Sequence, residues 1–89
     1  MKEVEIKKLT QAEIDQMGIK DWAIWTKEPS VFDWEYDGTE QCYILEGEFD
    51  VITAQNTYHI KAGDFVTFQD GLKCTWKITK PVKKHYNFI

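Results

Sequence analysis

The sequence predicts an all-β, single-domain β-barrel that carries one short N-terminal helix. From Trp22 onward, aromatic and β-branched runs alternate with turn residues, and no further helical period is present. Many short strands at such spacing are typical of a sandwich or a barrel. The chain has 89 residues, a length that supports one hydrophobic core. We therefore assign residues 1–89 to one domain, with a strand and a helix in residues 1–19 and the barrel in residues 22–89.

The helix is predicted from three signals that agree on its start and end. Thr10 and Glu13 have the spacing of a capping box, in which each side chain accepts a hydrogen bond from the other's backbone. Leu9 is placed to pack on Ile14 as a hydrophobic staple. Gly18 tolerates the left-handed conformation that ends many helices. These signals predict a helix from Gln11 to Met17.

Turn residues separate the predicted strands, and they predict turns at Glu46–Gly47 and at Thr79–Pro81, among other places. Before the helix, Val4 and Ile6 alternate with charges, which predicts a short edge strand. The barrel strands are predicted at Trp22–Lys27, Val31–Tyr36, Glu40–Glu46, Glu48–Thr53, Thr57–Ile60, Asp64–Phe68, Cys74–Lys77 and Lys83–Phe88.

Charge and hydropathy argue against two classes of partner. Residues 1–70 hold all fifteen acids, residues 71–89 hold five lysines, and the chain has no arginine. Nucleic-acid binders are usually basic and rich in arginine, so no nucleic-acid partner is expected. No apolar run exceeds four residues, which argues against a membrane span or a secretory signal. We expect a cytoplasmic protein whose two cysteines stay reduced.

Two stretches resemble the two sequence motifs of the cupin superfamily. Glu40 precedes Gly47 by seven positions, as in the first motif, and Gly63-Asp64 followed by Gly71 resembles the second. Residues 22–89 are similar to a subfamily of short single-domain cupins that also supplies the cupin domains of ureidoglycine aminohydrolases. The resemblance implies a jelly-roll β-barrel with a cavity between its two sheets.

The resemblance also implies where a metal would bind, because typical cupins hold a divalent ion with two histidines, a glutamate and a third histidine. The corresponding positions here are Trp34, Tyr36, Glu40 and Cys74, so Glu40 is the one usual ligand that is kept. Indole does not bind a divalent ion and neutral phenol binds it poorly. No metal cofactor is therefore favoured. The alternative ligand set consists of Glu40, Cys74 and either His59 or His85.

Strand alternation extends the resemblance to a cavity lining. Residues two apart on a strand face the same side, so Cys42 shares the face of Glu40, and Trp76 shares that of Cys74. The implied lining is Trp34, Tyr36, Glu40, Cys42, Cys74 and Trp76. Such walls suit a small planar or sugar-like ligand whose polar edge Glu40 would hold. Alternatively, the aromatic rings fill the barrel, with Glu40 bonded to Tyr36 or to the indole of Trp76.

Alternation in the last strand leaves two arrangements open. Either His85 points inward, or Lys84 and Tyr86 do. The subfamily pattern keeps the lysine and the tyrosine, which favours Lys84 for an ion pair with Asp64 or Glu40 or for contact with an anion. A plain surface pairing of Lys84 is the competing interpretation.

Three functional hypotheses follow from this lining. The first is a metal-free cupin that binds a small molecule in its cavity. The second is a metal-dependent enzyme that acts on a small nitrogenous or sugar-derived metabolite, with Glu40 as the candidate catalytic acid or base. The third is a protein-interaction module with a closed cavity. The N-terminal edge strand also predicts a homodimer formed by strand addition.

Overall fold

The computed structural model describes residues 2–89, so Met1, the first residue of the predicted domain, lies outside the described residues. The described chain is an antiparallel β structure with one short α-helix, as predicted, and a single 3₁₀ turn at Ile19–Asp21 follows the helix. The elements are β1 (Val4–Lys8), α1 (Gln11–Met17), β2 (Ala23–Lys27), β3 (Ser30–Glu35), β4 (Glu40–Ile52), β5 (Thr57–Lys61), β6 (Asp64–Phe68) and β7 (Lys73–Phe88).

Two long strands, β4 and β7, run through the middle of the fold. They pair antiparallel from Glu40 opposite Phe88 to Ile52 opposite Thr75. The first half of β4 also pairs with β6 and its second half with β5, while β7 pairs first with β3 and then with β2. Because each long strand changes its outer partner half-way, the sheet folds over into two layers. This arrangement is the jelly-roll that the sequence predicted.

The turns predicted at Glu46–Gly47 and Thr79–Pro81 are wrong, because both segments lie inside the long strands. The register between β4 and β7 shifts around Gly47, so Pro81 falls at an irregularity where a missing N–H is tolerated. Gly47 has φ of 100°, and a Cβ there would overlap the carbonyl oxygen of Pro81. The two strands therefore bend and cross in close contact at this point.

The helix forms as its capping signals predict. The Thr10 hydroxyl accepts a hydrogen bond from the Glu13 backbone N–H at 3.2 Å, and the Glu13 carboxylate accepts one from the Thr10 N–H at 3.0 Å. Ile14 packs with Ile19 and Phe65 in a small cluster apart from the main core. At seven residues α1 is short, and within residues 2–89 no helix has the length and apolar character needed to cross a bilayer.

Stacked aromatic rings dominate the main core, between the two layers. Phe49 lies almost parallel to Trp76, with ring centroids 4.2 Å apart, and Tyr36 stacks on Phe68 at 4.7 Å. Trp76 keeps 3% of its surface exposed. Two of these rings, Tyr36 and Trp76, also line the cavity described below.

β1 lies at one end of the sheet order β1-β6-β4-β7-β2. The prediction that the N-terminal strand is an edge strand is thus confirmed. A homodimer formed through this edge stays a prediction.

We expect Gly47→Ala to destabilise the fold more than Gly71→Ala does. Both glycines have a positive φ, but a Cβ at Gly71 meets nothing within 4 Å. The Gly71 variant should cost about 1–3 kcal/mol of backbone strain, and the Gly47 variant should cost more because its methyl group overlaps the Pro81 backbone. Urea unfolding of the two variants measures the difference, and equal losses would contradict the close crossing.

Candidate active or binding cavity

A cavity of about 650 Å³ opens beside Trp76. Its size lies in the range of small-molecule sites. Strands β2, β3 and β7 supply most of its walls, and Glu40 enters from the start of β4. The aromatic lining residues are Trp25, Phe32, Trp34, Tyr36, Trp76, Tyr86 and Phe88, and the charged ones are Lys27, Asp33, Glu40 and Lys84.

Four of the six predicted lining residues face this cavity: Trp34, Tyr36, Glu40 and Trp76. The two cysteines do not. Cys42 is fully buried beneath the lining, in contact with Glu40. Cys74 lies opposite Trp34 and lines a separate shallow pocket. It shares the face of Trp76 but is not among the residues that line the aromatic cavity.

Four aromatic wall residues were missing from the predicted set, although alternation carries a signal for three of them. Phe32 shares a strand face with Trp34, and Tyr86 and Phe88 share one with Lys84. The fourth, Trp25, depends on tertiary structure, because it lines the cavity only through the pairing that sets β2 opposite Lys84.

Lys84 forms a buried ion pair with Glu40, with its Nζ 2.7 Å from Oε2. The exposed fractions of the two side chains are 7% and 6%. The surface interpretation of Lys84 is therefore wrong, and of its two predicted partners Glu40 is the actual one. Asp64 instead pairs with Lys8. The fold thus brings a cation to Glu40 from a strand near the far end of the chain.

Aromatic faces surround the ammonium of Lys84. Its Nζ lies 4.9 Å from the ring centroids of both Trp25 and Trp76, and 5.8 Å from that of Tyr86. The negative faces of these rings attract a cation. The walls thus help to hold in the interior a charge that would otherwise be costly to bury.

Cys42 completes a three-membered network under the cavity. Its thiol donates to Glu40 Oε2 at 2.6 Å and accepts from Lys84 Nζ at 3.3 Å. Burial raises the pKa of the Cys42 thiol well above its usual value. The thiol therefore stays protonated at neutral pH, and this environment does not provide the thiolate that a nucleophilic cysteine requires.

Lys84 is held in its charged form. Burial acts to lower the pKa of Lys84, but its interactions with Cys42 and Glu40 outweigh burial and raise that pKa above the ordinary value. With Cys42 protonated, the stabilising charge is that of the Glu40 carboxylate. A lysine that remains an ammonium is a hydrogen-bond donor rather than a nucleophile for Schiff-base formation.

Tyr36 and Trp76 bond to each other rather than to Glu40. The Trp76 indole donates to the Tyr36 hydroxyl at 3.2 Å. Burial, followed by the charge of Glu40, raises the pKa of Tyr36 well above its usual value. The Glu40 carboxylate instead accepts hydrogen bonds from Lys84 and Cys42. The hydrogen bond from Tyr36 or Trp76 to Glu40 that was predicted for a filled barrel therefore does not form.

The two histidines lie away from the cavity. His59 is exposed on β5, with Nδ1 2.7 Å from Asp50. His85 is buried, and its Nδ1 lies 3.0 Å from the backbone oxygen of Trp22. Lys84 and Tyr86 are thus the inward-facing pair of the last strand, and His85 points to the opposite face.

The residues present do not fit the metal centre that the cupin resemblance implies. Among residues 2–89, no three His, Cys, Asp or Glu side chains are grouped so that they could hold a metal ion. Glu40 is the one usual ligand kept, and its Oε2 already binds the Lys84 ammonium. A divalent cation at this carboxylate would face an adjacent positive charge.

Comparison with known families and structures supports the fold. Residues 14–86 match the model of the EutQ-like cupin domain family. The chain belongs to the EutQ-like cupin family. No curated protein matches it. The finer resemblance to the cupin domains of ureidoglycine aminohydrolases is not confirmed by these matches and stays a prediction.

Several solved structures share the cupin fold. A DUF861 family protein from Thermotoga maritima is 49% identical, with a TM-score of 0.96 over 98% of this chain and 100% of that one. The Clostridium difficile EutQ protein is 18% identical, with a TM-score of 0.67 over 93% of this chain and 64% of that one. A protein of unknown function from Acidithiobacillus ferrooxidans is 16% identical, with a TM-score of 0.66 over 70% and 60% of the two chains. The last two show a shared fold alone.

Lys84→Met should lower the free energy of unfolding by about 3–5 kcal/mol, because it leaves the Glu40 carboxylate buried without its cation. The matched control is Lys77→Met, which removes an exposed lysine of the same strand and should change stability by at most about 0.5 kcal/mol. The double variant Lys84→Met/Glu40→Gln removes both charges and should recover much of the loss. Chemical denaturation measures all three, and equal effects of the two single variants would contradict a structural ion pair.

Proposed function

We propose that this protein is a cupin that binds a small molecule in its aromatic cavity without a metal ion. The observation that carries the proposal is the buried pair of Lys84 and Glu40, which both line the cavity beneath aromatic walls. Pockets for small molecules are generally apolar with a few placed polar groups. Here the polar groups are one ammonium and one carboxylate, held 2.7 Å apart.

The state of the potential reactive groups supports binding rather than covalent catalysis. The Cys42 thiol is protonated and inaccessible behind the lining, and Lys84 is charged. Covalent catalysis through Cys42 would need its thiolate, and through Lys84 its neutral amine. The cavity volume favours this proposal over the hypothesis of a closed interaction module, because the aromatic rings leave space beside them.

Binding of 2-naphthol, a flat aromatic probe, should depend on the cavity wall. Trp34 is a wall residue that is 51% exposed, so Trp34→Ala should weaken the affinity about tenfold through lost ring contact while leaving stability nearly unchanged. The control is Ile24→Ala, since Ile24 is equally exposed, at 52%, but lies outside the lining. Isothermal titration calorimetry measures both, and equal affinities in the two variants would contradict binding in this cavity.

Divalent metals should leave the melting temperature of the protein unchanged. The Lys84 ammonium beside Glu40 opposes binding of a second cation, so Mn²⁺, Fe²⁺, Ni²⁺ and Zn²⁺ added singly should give no stabilising shift. Metal content of untagged protein, measured by mass spectrometry, checks the same point. A stoichiometric metal, or a thermal shift abolished by Glu40→Gln, would favour the metal-dependent enzyme instead.

A further inference from the structure

The floor of the cavity presents a hydrogen-bond donor and an acceptor together. The Lys84 ammonium has three N–H donors. Two of them serve Glu40 Oε2 and the Cys42 sulfur. No other nitrogen, oxygen or sulfur acceptor in residues 2–89 receives a hydrogen bond from Lys84. Lys84 is among the residues that line the cavity, so its third N–H, which otherwise meets only the surrounding aromatic rings, can be directed to a ligand there.

The acceptor is the second oxygen of Glu40. Both hydrogen bonds to this carboxylate, from Lys84 and from Cys42, end on Oε2. Within residues 2–89, every fully buried side-chain nitrogen or oxygen has a hydrogen-bond partner. Since Oε1 has none, it is not fully buried, and its open side faces the cavity that Glu40 lines.

The charges of the cavity balance, so an ionic ligand gains no net attraction. The carboxylate of Glu40 offsets the ammonium of Lys84, and Asp33 offsets Lys27 in the same lining. An ion entering this space would lose its hydration without an unpaired counter-charge. An uncharged ligand avoids that cost and still forms both hydrogen bonds.

The walls favour a flat ligand. The ring of Phe32 lies nearly parallel to that of Trp76, with an interplanar angle of 21°. The ring of Trp25 meets Trp76 edge-on, with an interplanar angle of 75°. Ring faces of this kind bind planar molecules by stacking and by edge-to-face contact.

We propose that the ligand is a flat, uncharged molecule with a carbonyl beside an N–H, as in an aromatic cyclic amide, and that Lys84 and Glu40 recognise this edge. The carbonyl accepts the remaining N–H of Lys84, and the ligand N–H donates to Glu40 Oε1. This inference rests on the proposed function and adds to it the chemical class of the ligand.

The test compares probes that share a bicyclic shape and differ at this edge. Quinolin-2(1H)-one has both groups, and 1-methylquinolin-2-one lacks the N–H. The charged probes are 2-naphthoate and 2-naphthylmethylammonium. Affinities are measured by NMR titration on the tryptophan indole N–H signals, where Trp25, Trp34 and Trp76 report on the cavity. Trp22, which packs against Phe65 in the other cluster, serves as the internal control.

Quinolin-2(1H)-one should bind at least about tenfold more tightly than its N-methyl analogue and than either ion, since one well-placed hydrogen bond corresponds to about that factor. The double variant Lys84→Met/Glu40→Leu, which leaves neither an unpaired buried charge nor a hydrogen-bonding side chain at the two positions, should bind the two quinolinones within about threefold of each other.

Two results would overturn the inference, and they are distinguishable. If the probes shift the three cavity indoles but an ion or the N-methyl analogue binds best, or if the double variant keeps the discrimination, then the ligand class is wrong while binding in the cavity stands. If no probe shifts these signals at millimolar concentration, the proposed function fails together with the inference.

Discussion

The antiparallel pairing of β4 with β7 is the constraint on which the rest of the structure depends. These two strands pair over most of their length and recruit different outer partners along the way, which converts one sheet into two layers. Their crossing at Gly47 and Pro81 places two backbones closer than any side chain would allow. The same ladder brings the last residues of the chain beside Glu40, so the fold and the cavity have a common origin.

The pair of Lys84 and Glu40 changes what this cupin cavity can do. A carboxylate that would serve as a metal ligand in a typical cupin is here bound to an ammonium from the chain itself. The cation is fixed by covalent attachment to β7 and by three aromatic faces. A cavity with a resident ammonium supplies directed donors, whereas a metal centre supplies open coordination positions. With an ammonium in place of a metal ion, the cavity can recognise a ligand by hydrogen bonds and by stacking.

Local signals were sufficient where neighbouring residues decide the structure. The capping box of Thr10 and Glu13 defined the helix, because both partners lie within one turn. The turns assigned at Gly47 and Pro81 failed, because turn residues have the same local preferences as residues at a strand crossing. Only the contact between the two strands, which are more than thirty residues apart in sequence, distinguishes the two cases.

The sequence by itself determined the all-β class, the single domain and the short helix, because alternation and turn chemistry are local properties of the chain. Four of the wall residues followed from the resemblance to the cupin motifs, which alternation extended along the strands. The position of Trp25, the depth of Cys42 and the partner of Lys84 were decided by tertiary structure alone. Strand pairing between distant segments decides which side chains come into contact. A buried charge is stable only if this pairing places an opposite charge beside it, which offsets the cost of removing it from water. For this reason the sequence left Lys84 with two acidic partners and a surface position as alternatives, and its contact with Glu40 is visible only in the folded chain.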